Sequence, residues 1–202
     1  MTQGTDWAAL YRANIDAVTS LAEDLSEAEL ATRVPATPEW TVREVLAHLA
    51  GSPADALSGR MDGAPGPEWT ARHVAERSGA DRDALVADIR SSADGVVAAI
   101  EGSDRPALVW NAAVHHADLA EALGRPIPAE AMWHPVVEAM RPSLGENAAA
   151  FEGISDYELF RALFSRRSRA QIAAWGTGAD QETIDGLGIF GPRDDDQPLP
   201  DH

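Results

Sequence analysis

The chain has 202 residues, enough for one domain with its own hydrophobic core. Hydrophobic residues make up 45% and charged residues 24%, proportions typical of globular proteins rather than of disordered or fibrous ones. The formal net charge is -17 and all 16 basic residues are Arg, so we expect neither nucleic acids nor membrane surfaces as partners. The absence of cysteine excludes disulfides, zinc-thiolate sites and a cysteine nucleophile.

Apolar residues at spacings of three and four predict helices from the start of the chain. The first helix covers residues 7–25. A second main helix begins at a capping box in which Glu44 follows Thr41 by three residues. Ser26 and Glu29 form a similar box for a short turn between these two helices.

A loop rich in Gly and Pro over residues 58–68 separates this part of the chain from the next. Helical periodicity then resumes and predicts helices over residues 69–77, 81–100, 108–123, 129–140 and 157–175. Gly124 and Pro126 close the helix that ends at residue 123. Only residues 183–190 have a pattern that is compatible with an extended strand.

These elements predict one all-α domain over residues 1–191, followed by a flexible tail over residues 192–202. The tail has three consecutive Asp residues and three Pro residues and almost nothing to bury. The first ten residues lack the features of a secretory signal, and no apolar stretch approaches the roughly 18 residues of a membrane span. We therefore expect a cytoplasmic monomer or homodimer that acts on a small molecule.

Histidine and amide side chains on two predicted helices are the first candidates for chemistry. His48 lies among Leu46 and Leu49 and should point into or along the core, while Asn111 and His115 share one face of a later helix. In a bundle these three donors could bind a Zn, Ni or Fe ion and leave positions open for water or substrate. The alternative is that His48 is a hydrogen-bonded core histidine and that the other two are ordinary helix residues.

The polar residues His116 and Asp118 lie close to His115 on the same predicted helix. His116 is rotated by about 100° from His115 and points in another direction. Asp118 follows His115 by three residues. Its carboxylate is placed to orient the imidazole of His115 by a hydrogen bond, without binding the metal itself. The alternative is that both are polar residues of the helix surface.

An arginine cluster follows near the C-terminal end, with four members between residues 161 and 169. Guanidinium groups bind carboxylates through two parallel hydrogen bonds, so Arg166 and Arg167 are candidates for binding an anionic substrate or a cofactor arm. The alternative is that the cluster forms salt bridges with the protein's own excess of carboxylates.

Residues 38–50 (PEWTVREVLAHLA) resemble the second-helix motif of the DinB-like superfamily, in particular its mycothiol-dependent maleylpyruvate isomerase branch from actinobacteria. Residues 69–77, 114–124 and 159–171 are similar to further stretches of that branch. The resemblance implies a DinB-like four-helix bundle, here with additional C-terminal helices. It also implies a metal bound by His48, Asn111 and His115, with Asn111 standing where the branch has Glu.

The resemblance further implies a thiol cofactor, usually mycothiol, whose thiolate the metal would activate. The resulting hypothesis is a metal- and thiol-dependent isomerase or transferase acting on a small metabolite, with His48 and His115 as its catalytic residues. Arg166 or Arg167 would neutralise a carboxylate. Two alternatives are metal-free: a binding or regulatory protein that keeps the fold, and a biosynthetic enzyme that uses His48 or His115 as a general base.

Overall fold

The computed structural model describes residues 4–103 and 106–198, and within these ranges the fold is helical apart from one small β-hairpin. The prediction of an all-α fold is therefore confirmed. None of the helices in the described ranges is both long enough and apolar enough to cross a membrane.

The first part of the chain contains three helices and the hairpin. Its elements are α1 (Trp7–Glu23), α2 (Glu27–Leu30), β1 (Arg33–Val34), β2 (Thr37–Thr41) and α3 (Val42–Ser58). The helices α2 and α3 begin at the two predicted capping boxes, formed by Ser26 with Glu29 and by Thr41 with Glu44. These caps satisfy backbone N–H groups at the first turn and so define where each helix starts.

The chain continues with α4 (Pro67–Glu76), α5 (Arg82–Ser91), α6 (Ala93–Ala99) and α7 (Ala107–Ala122). Gly124 has a positive φ of 60° just after α7 and ends it as predicted. The single helix predicted over residues 81–100 is instead divided into α5 and α6. The division lies at Ser92, whose ψ of -12° departs from the usual helical value.

Short helices joined by turns make up the C-terminal part. They are a 3-10 helix (Glu130–Met132), α8 (His134–Met140), a 3-10 segment (Arg141–Phe151), α9 (Asp156–Leu163), α10 (Arg169–Ala173) and α11 (Gln181–Asp185). The prediction of one helix over residues 157–175 is wrong, because Ser165 adopts a left-handed φ of 63° and the chain leaves the helical path between α9 and α10.

The prediction of an extended segment over residues 183–190 is also wrong. Asp180 accepts a hydrogen bond from the backbone N–H of Thr183 and caps α11 in this region. The extended residues of the described chain lie instead in β1 and β2, which pair antiparallel with Arg33 opposite Thr41. Strands this short show no alternation of apolar and polar residues in the sequence.

Four helices, α1, α3, α5 and α7, pack as a bundle around the main core. Both α1 and α3 contact α5 and α7, and α4 also packs against α3. Fully buried apolar side chains fill the centre, among them Ile15, Val18, Leu46, Leu49, Leu85, Ile89, Val109 and Leu119. Burial of each large side chain contributes roughly 1.5–3 kcal/mol, and this packing holds α3 against α7.

The predicted flexible tail is described as far as residue 198, and its last four residues lie outside the described ranges. The backbone N–H of Arg193 donates to the carbonyl of Arg167, and the N–H of Arg169 donates to the carbonyl of Arg193. The Ser168 hydroxyl also donates to Asp196. The described part of the tail is therefore hydrogen-bonded to the segment between α9 and α10, and its flexibility stays a prediction. The domain boundary at residue 191 stays a prediction.

Candidate functional site

The candidate site lies where α3 and α7 face each other. The cap at Thr41 sets the start of α3 and directs His48 towards α7, on which Asn111 and His115 lie about one turn apart. Nε2 of His48 is 3.2 Å from Oδ1 of Asn111, and the ring centroids of His48 and His115 are 5.0 Å apart. The structure thus brings together the three side chains that were predicted as metal ligands.

The second ring nitrogens of these histidines contact further polar side chains. Nδ1 of His115 lies 2.9 Å from Oδ2 of Asp118, the partner that its spacing predicted. Nδ1 of His48 lies 3.1 Å from Nδ1 of His73 on α4. Nε2 of His73 in turn lies 3.0 Å from Oδ2 of Asp55, two turns after His48 on α3. The Nδ1 atoms of His48 and His115 therefore each lie close to another polar side chain, and Nε2 of His48 faces Asn111.

Aromatic rings enclose the imidazoles. The ring of Trp40, in β2, lies 5.1 Å from that of His48 and 6.1 Å from that of His115. The ring of Trp69 meets His48 and His73 edge to face, at 6.0 and 4.2 Å between centroids. All three histidines are buried, whereas Trp40 is only partly buried. The site is therefore a mostly dry environment in which electrostatic interactions are strong.

Burial lowers the pKa of each of the three imidazoles. For His48 the neighbouring His115 adds to this effect and the hydrogen bond with Asn111 opposes it, and the pKa stays well below its usual value. For His73 and His115 burial outweighs the carboxylates that they contact, so their pKa values are also lowered. The imidazoles are therefore neutral at neutral pH, which is the form that binds divalent metals.

A buried ionic network lies behind His115. Nη2 of Arg161 donates to Asp118 at 2.6 Å and to Glu121 at 2.7 Å, while Arg166 donates to Asp118 through Nε at 3.2 Å and through Nη2 at 2.7 Å. Burial alone would raise the pKa of Asp118, but the guanidinium groups of Arg166 and Arg161 hold it well below its usual range. Asp118 is therefore an ionised acceptor, which favours a proton on Nδ1 of His115.

The two arginines predicted to bind a cofactor form internal salt bridges in this structure. The side chain of Arg167 is 2% exposed and donates to both carboxylate oxygens of Glu158, at 2.7 and 2.6 Å. Arg166 pairs with Asp118 and is slightly more exposed. The alternative of pairing with the protein's own carboxylates is thus the observed one. The geometry does not support Arg167 as a cofactor ligand, and a role for Arg166 beside the site stays a prediction.

The donor set of the site fits a divalent metal. Neutral imidazole nitrogens are ligands that Zn, Ni and Fe accept, and an amide oxygen supplies a third donor. The contact of Nδ1 of His48 with His73 matches the outer hydrogen bonds that orient histidine ligands in metal sites, and Asp118 lies close to Nδ1 of His115 but outside hydrogen-bond geometry. A neutral amide is a weaker donor than a carboxylate, so a metal at this site would be held less tightly by Asn111 than by a Glu at the same position.

A second group of ligand types lies at the surface between α8 and α9. Ligand atoms of His134, Glu138 and Asp156 lie within 4.8 Å of one another. Arg141, however, donates to Glu138 at 3.2 Å and to Asp156 at 2.7 Å. Because this guanidinium already pairs with both carboxylates, the buried site between α3 and α7 is the stronger candidate for a metal.

Access to the histidines does not run through either of two surface cavities of about 300 and 500 Å³. The smaller is lined by residues of the 3-10 segment and of residues 183–189, and the larger by residues 5–8 and 94–102. Trp40 and Asn111 are partly exposed and adjoin His48. Among the residues that contact His48, these two reach the protein surface.

Comparison with known families covers the part of the chain that holds this site. Residues 11–139 match the family model described as mycothiol maleylpyruvate isomerase N-terminal domain. The chain belongs to this family. The match covers the bundle from the second turn of α1 onward, including His48, Asn111 and His115, and confirms the resemblance to the DinB-like branch. The arginine cluster lies beyond the matched residues. No curated protein and no solved structure matches the chain significantly.

Sequence analysis did not single out His73 and Asp55 as part of the site. One signal was present, since His48, Gly51 and Asp55 follow one another at three and four residues on one face of α3. His73 lies on a separate helix, and no spacing rule connects it with His48.

Proposed function

We propose that this member of the mycothiol maleylpyruvate isomerase N-terminal domain family is a metal-dependent enzyme that uses a thiol cofactor, with mycothiol as the first candidate. It would isomerise a small metabolite or transfer a group to it. The observation that carries the proposal is the convergence of His48, Asn111 and His115 in a buried site, with Nδ1 of both histidines close to other polar side chains. The cytoplasmic location and the oligomeric state stay predictions from the sequence.

In this proposal His48, His115 and Asn111 would hold the metal. When bound, a divalent cation supplies a Lewis acid that favours the thiolate form of a thiol. The ionised Asp118 keeps the proton of His115 on Nδ1, so that Nε2 presents its lone pair. The walls formed by Trp40 and the bundle exclude water and so strengthen the charge interactions inside the site.

A metal-free function is the second candidate, and the contact between His48 and Asn111 favours it. The amide of Asn111 satisfies Nε2 of His48 without any ion when its nitrogen rather than its oxygen faces the ring. The site would then bind a ligand for a regulatory purpose, or His48 or His115 would act as a general base with a lowered pKa.

Cobalt substitution tests the metal and the thiol together. Protein loaded with Co²⁺ should develop a thiolate-to-cobalt charge-transfer band when mycothiol is added, and S-methylated mycothiol should give none. His48→Ala and His115→Ala should abolish the band, whereas His134→Ala, at the surface cluster, should keep it. Protein that binds Co²⁺ but shows no band would remove the thiol from the proposal, and protein that binds no Co²⁺ would favour the metal-free candidate.

A further inference from the structure

We propose that Asp55 and His73 are positioning residues that hold the proton of His48 on Nδ1, so that Nε2 of His48 faces Asn111 as a lone pair. The inference rests on the proposed function in one respect, namely that Nε2 of His48 binds a metal. The proton position itself, however, is a property of the protein without metal and can be measured on its own.

The chain of contacts starts at Asp55, which is buried on α3. Its Oδ2 accepts a hydrogen bond from Nη2 of Arg72, and its Oδ1 lies 3.6 Å from Nε of Arg60. These cations keep the carboxylate ionised, so it can only accept hydrogen bonds. In the 3.0 Å contact between Asp55 and His73, Nε2 of His73 therefore carries the proton.

The contact between His73 and His48 then determines which nitrogen of His48 carries the proton. His73 is completely buried, and Asp55 is already neutralised by two arginines, so a further positive charge on His73 is not stabilised. A neutral imidazole carries one proton, which leaves Nδ1 of His73 as an acceptor. Since this atom lies 3.1 Å from Nδ1 of His48, His48 must be the donor.

The consequence appears on the far side of His48. A neutral His48 with its proton on Nδ1 has a lone pair on Nε2, and this atom lies 3.2 Å from Oδ1 of Asn111. Two acceptors at this distance repel each other unless a cation binds both, or unless the amide turns over and donates through Nδ2. The contacts from Asp55 through His73 therefore prepare Nε2 of His48 for a metal.

Gly51 allows His73 to take part in this arrangement. A Cβ atom at Gly51 would lie 2.5 to 2.6 Å from atoms of the His73 side chain. Glycine weakens a helix interior relative to alanine, and here the backbone of α3 needs it so that His73 can lie between His48 and Asp55. Gly51→Ala should therefore displace His73, and Gly79→Ala is its control because a Cβ there meets no atom within 4 Å.

Nitrogen-15 NMR of the metal-free wild-type protein tests the proposal directly, because protonated and unprotonated imidazole nitrogens have well-separated shifts. We expect His48 to carry its proton on Nδ1 and His73 to carry its proton on Nε2. A wild-type His48 with its proton on Nε2 would overturn the proposal without any variant.

Two variants test the cause of the tautomer. His73→Phe removes the acceptor for Nδ1 of His48, so the proton should move to Nε2 and the affinity for Zn should fall roughly ten- to a hundredfold. Asp55→Asn places an amide that can donate to Nε2 of His73. It should therefore raise the fraction of His48 that carries its proton on Nε2. Asp156→Asn at the surface pair with His134 is the control and should change neither quantity.

These measurements distinguish the positioning role of Asp55 and His73 from the metal-dependent function. Wild-type protein with the Nδ1-protonated His48 and no affinity for Zn or Ni would keep the positioning role and remove the metal-dependent function. Wild-type protein that binds Zn, with an unchanged tautomer and affinity in folded His73→Phe and Asp55→Asn, would keep that function and overturn the positioning role.

Discussion

Asn111 has a different role in the metal-dependent and the metal-free function: it is a metal ligand in the first and a hydrogen-bond partner of His48 in the second. Its amide touches Nε2 of His48 at 3.2 Å, and it lies one turn before His115 on α7. The amide oxygen is a neutral metal ligand. The amide can also form a hydrogen bond with His48 that needs no metal ion. A change of charge at this residue therefore affects the two functions in opposite directions.

Asn111→Glu should tighten metal binding if the site holds a metal, because a carboxylate adds a charged oxygen ligand next to His115. A tenfold gain in affinity would correspond to about 1.4 kcal/mol. If the site is metal-free, the same change places an unpaired carboxylate beside buried imidazoles and should lower the melting temperature. Melting curves with and without Zn measure both effects, and Asn147→Glu, at an exposed residue, is the control. A destabilised Asn111→Glu protein that ignores Zn and Ni would contradict the metal site.

Sequence analysis could predict the inner residues of the site but not their outer partners. Asn111 and His115 share a helix, and three- and four-residue spacing determines which side chains share a face. The approach of His73 to His48 depends on how α4 packs on α3, which local spacing does not determine. On α3 itself, the sign of this packing is the spacing of His48, Gly51 and Asp55 along one face of the helix.

At the scale of elements, the ionic network behind His115 joins α7 to α9 and to the segment that follows α9. Asp118 of α7 is fully buried and pairs with both Arg161 and Arg166. Removal of one partner from a buried ion pair is costly because it leaves the other charges without compensation. The network is therefore a structural support for the helix that carries Asn111 and His115.

Asp118→Ala should lower the free energy of unfolding by about 3–5 kcal/mol, because Arg166 loses its carboxylate partner and the buried Arg161 keeps only Glu121. Asp94→Ala is the matched control, since Asp94 is 89% exposed in its pair with Arg12. Exposed pairs of this kind contribute less than about 1 kcal/mol. Urea unfolding of both variants measures the difference, and equal small losses would show that the network does not support the fold.

The same network explains why the helix predicted over residues 157–175 is divided. Apolar residues such as Leu159, Leu163 and Ile172 continue at helical spacing, and no Gly or Pro marks a break. Arg166 and Arg167 nevertheless turn towards Asp118 and Glu158, and Ser165 adopts a left-handed conformation before them. These tertiary contacts act together with the local capping box of Ser168 and Gln171, at which α10 begins, to divide the helix.

At the scale of the whole molecule, the fold was predictable where the helices are long. The helices α1, α3 and α7 have 16 or 17 residues, and their apolar faces repeat often enough to indicate both the helices and a bundle. The elements after α7 are much shorter, and their ends depend on caps, turns and ion pairs. The bundle, which the family match covers, is also the part that positions the candidate site.

Metal content tests the central claim most directly. Wild-type protein purified without a chelator or a metal-affinity tag, soaked in Zn or Ni and then dialysed, should retain about one ion per chain by elemental analysis. His48→Ala should retain none while its circular dichroism stays nearly unchanged, and Asp156→Ala, at the surface cluster, should retain as much as wild type. Wild-type protein without retained metal, or metal that is lost with Asp156→Ala but not with His48→Ala, would contradict the account.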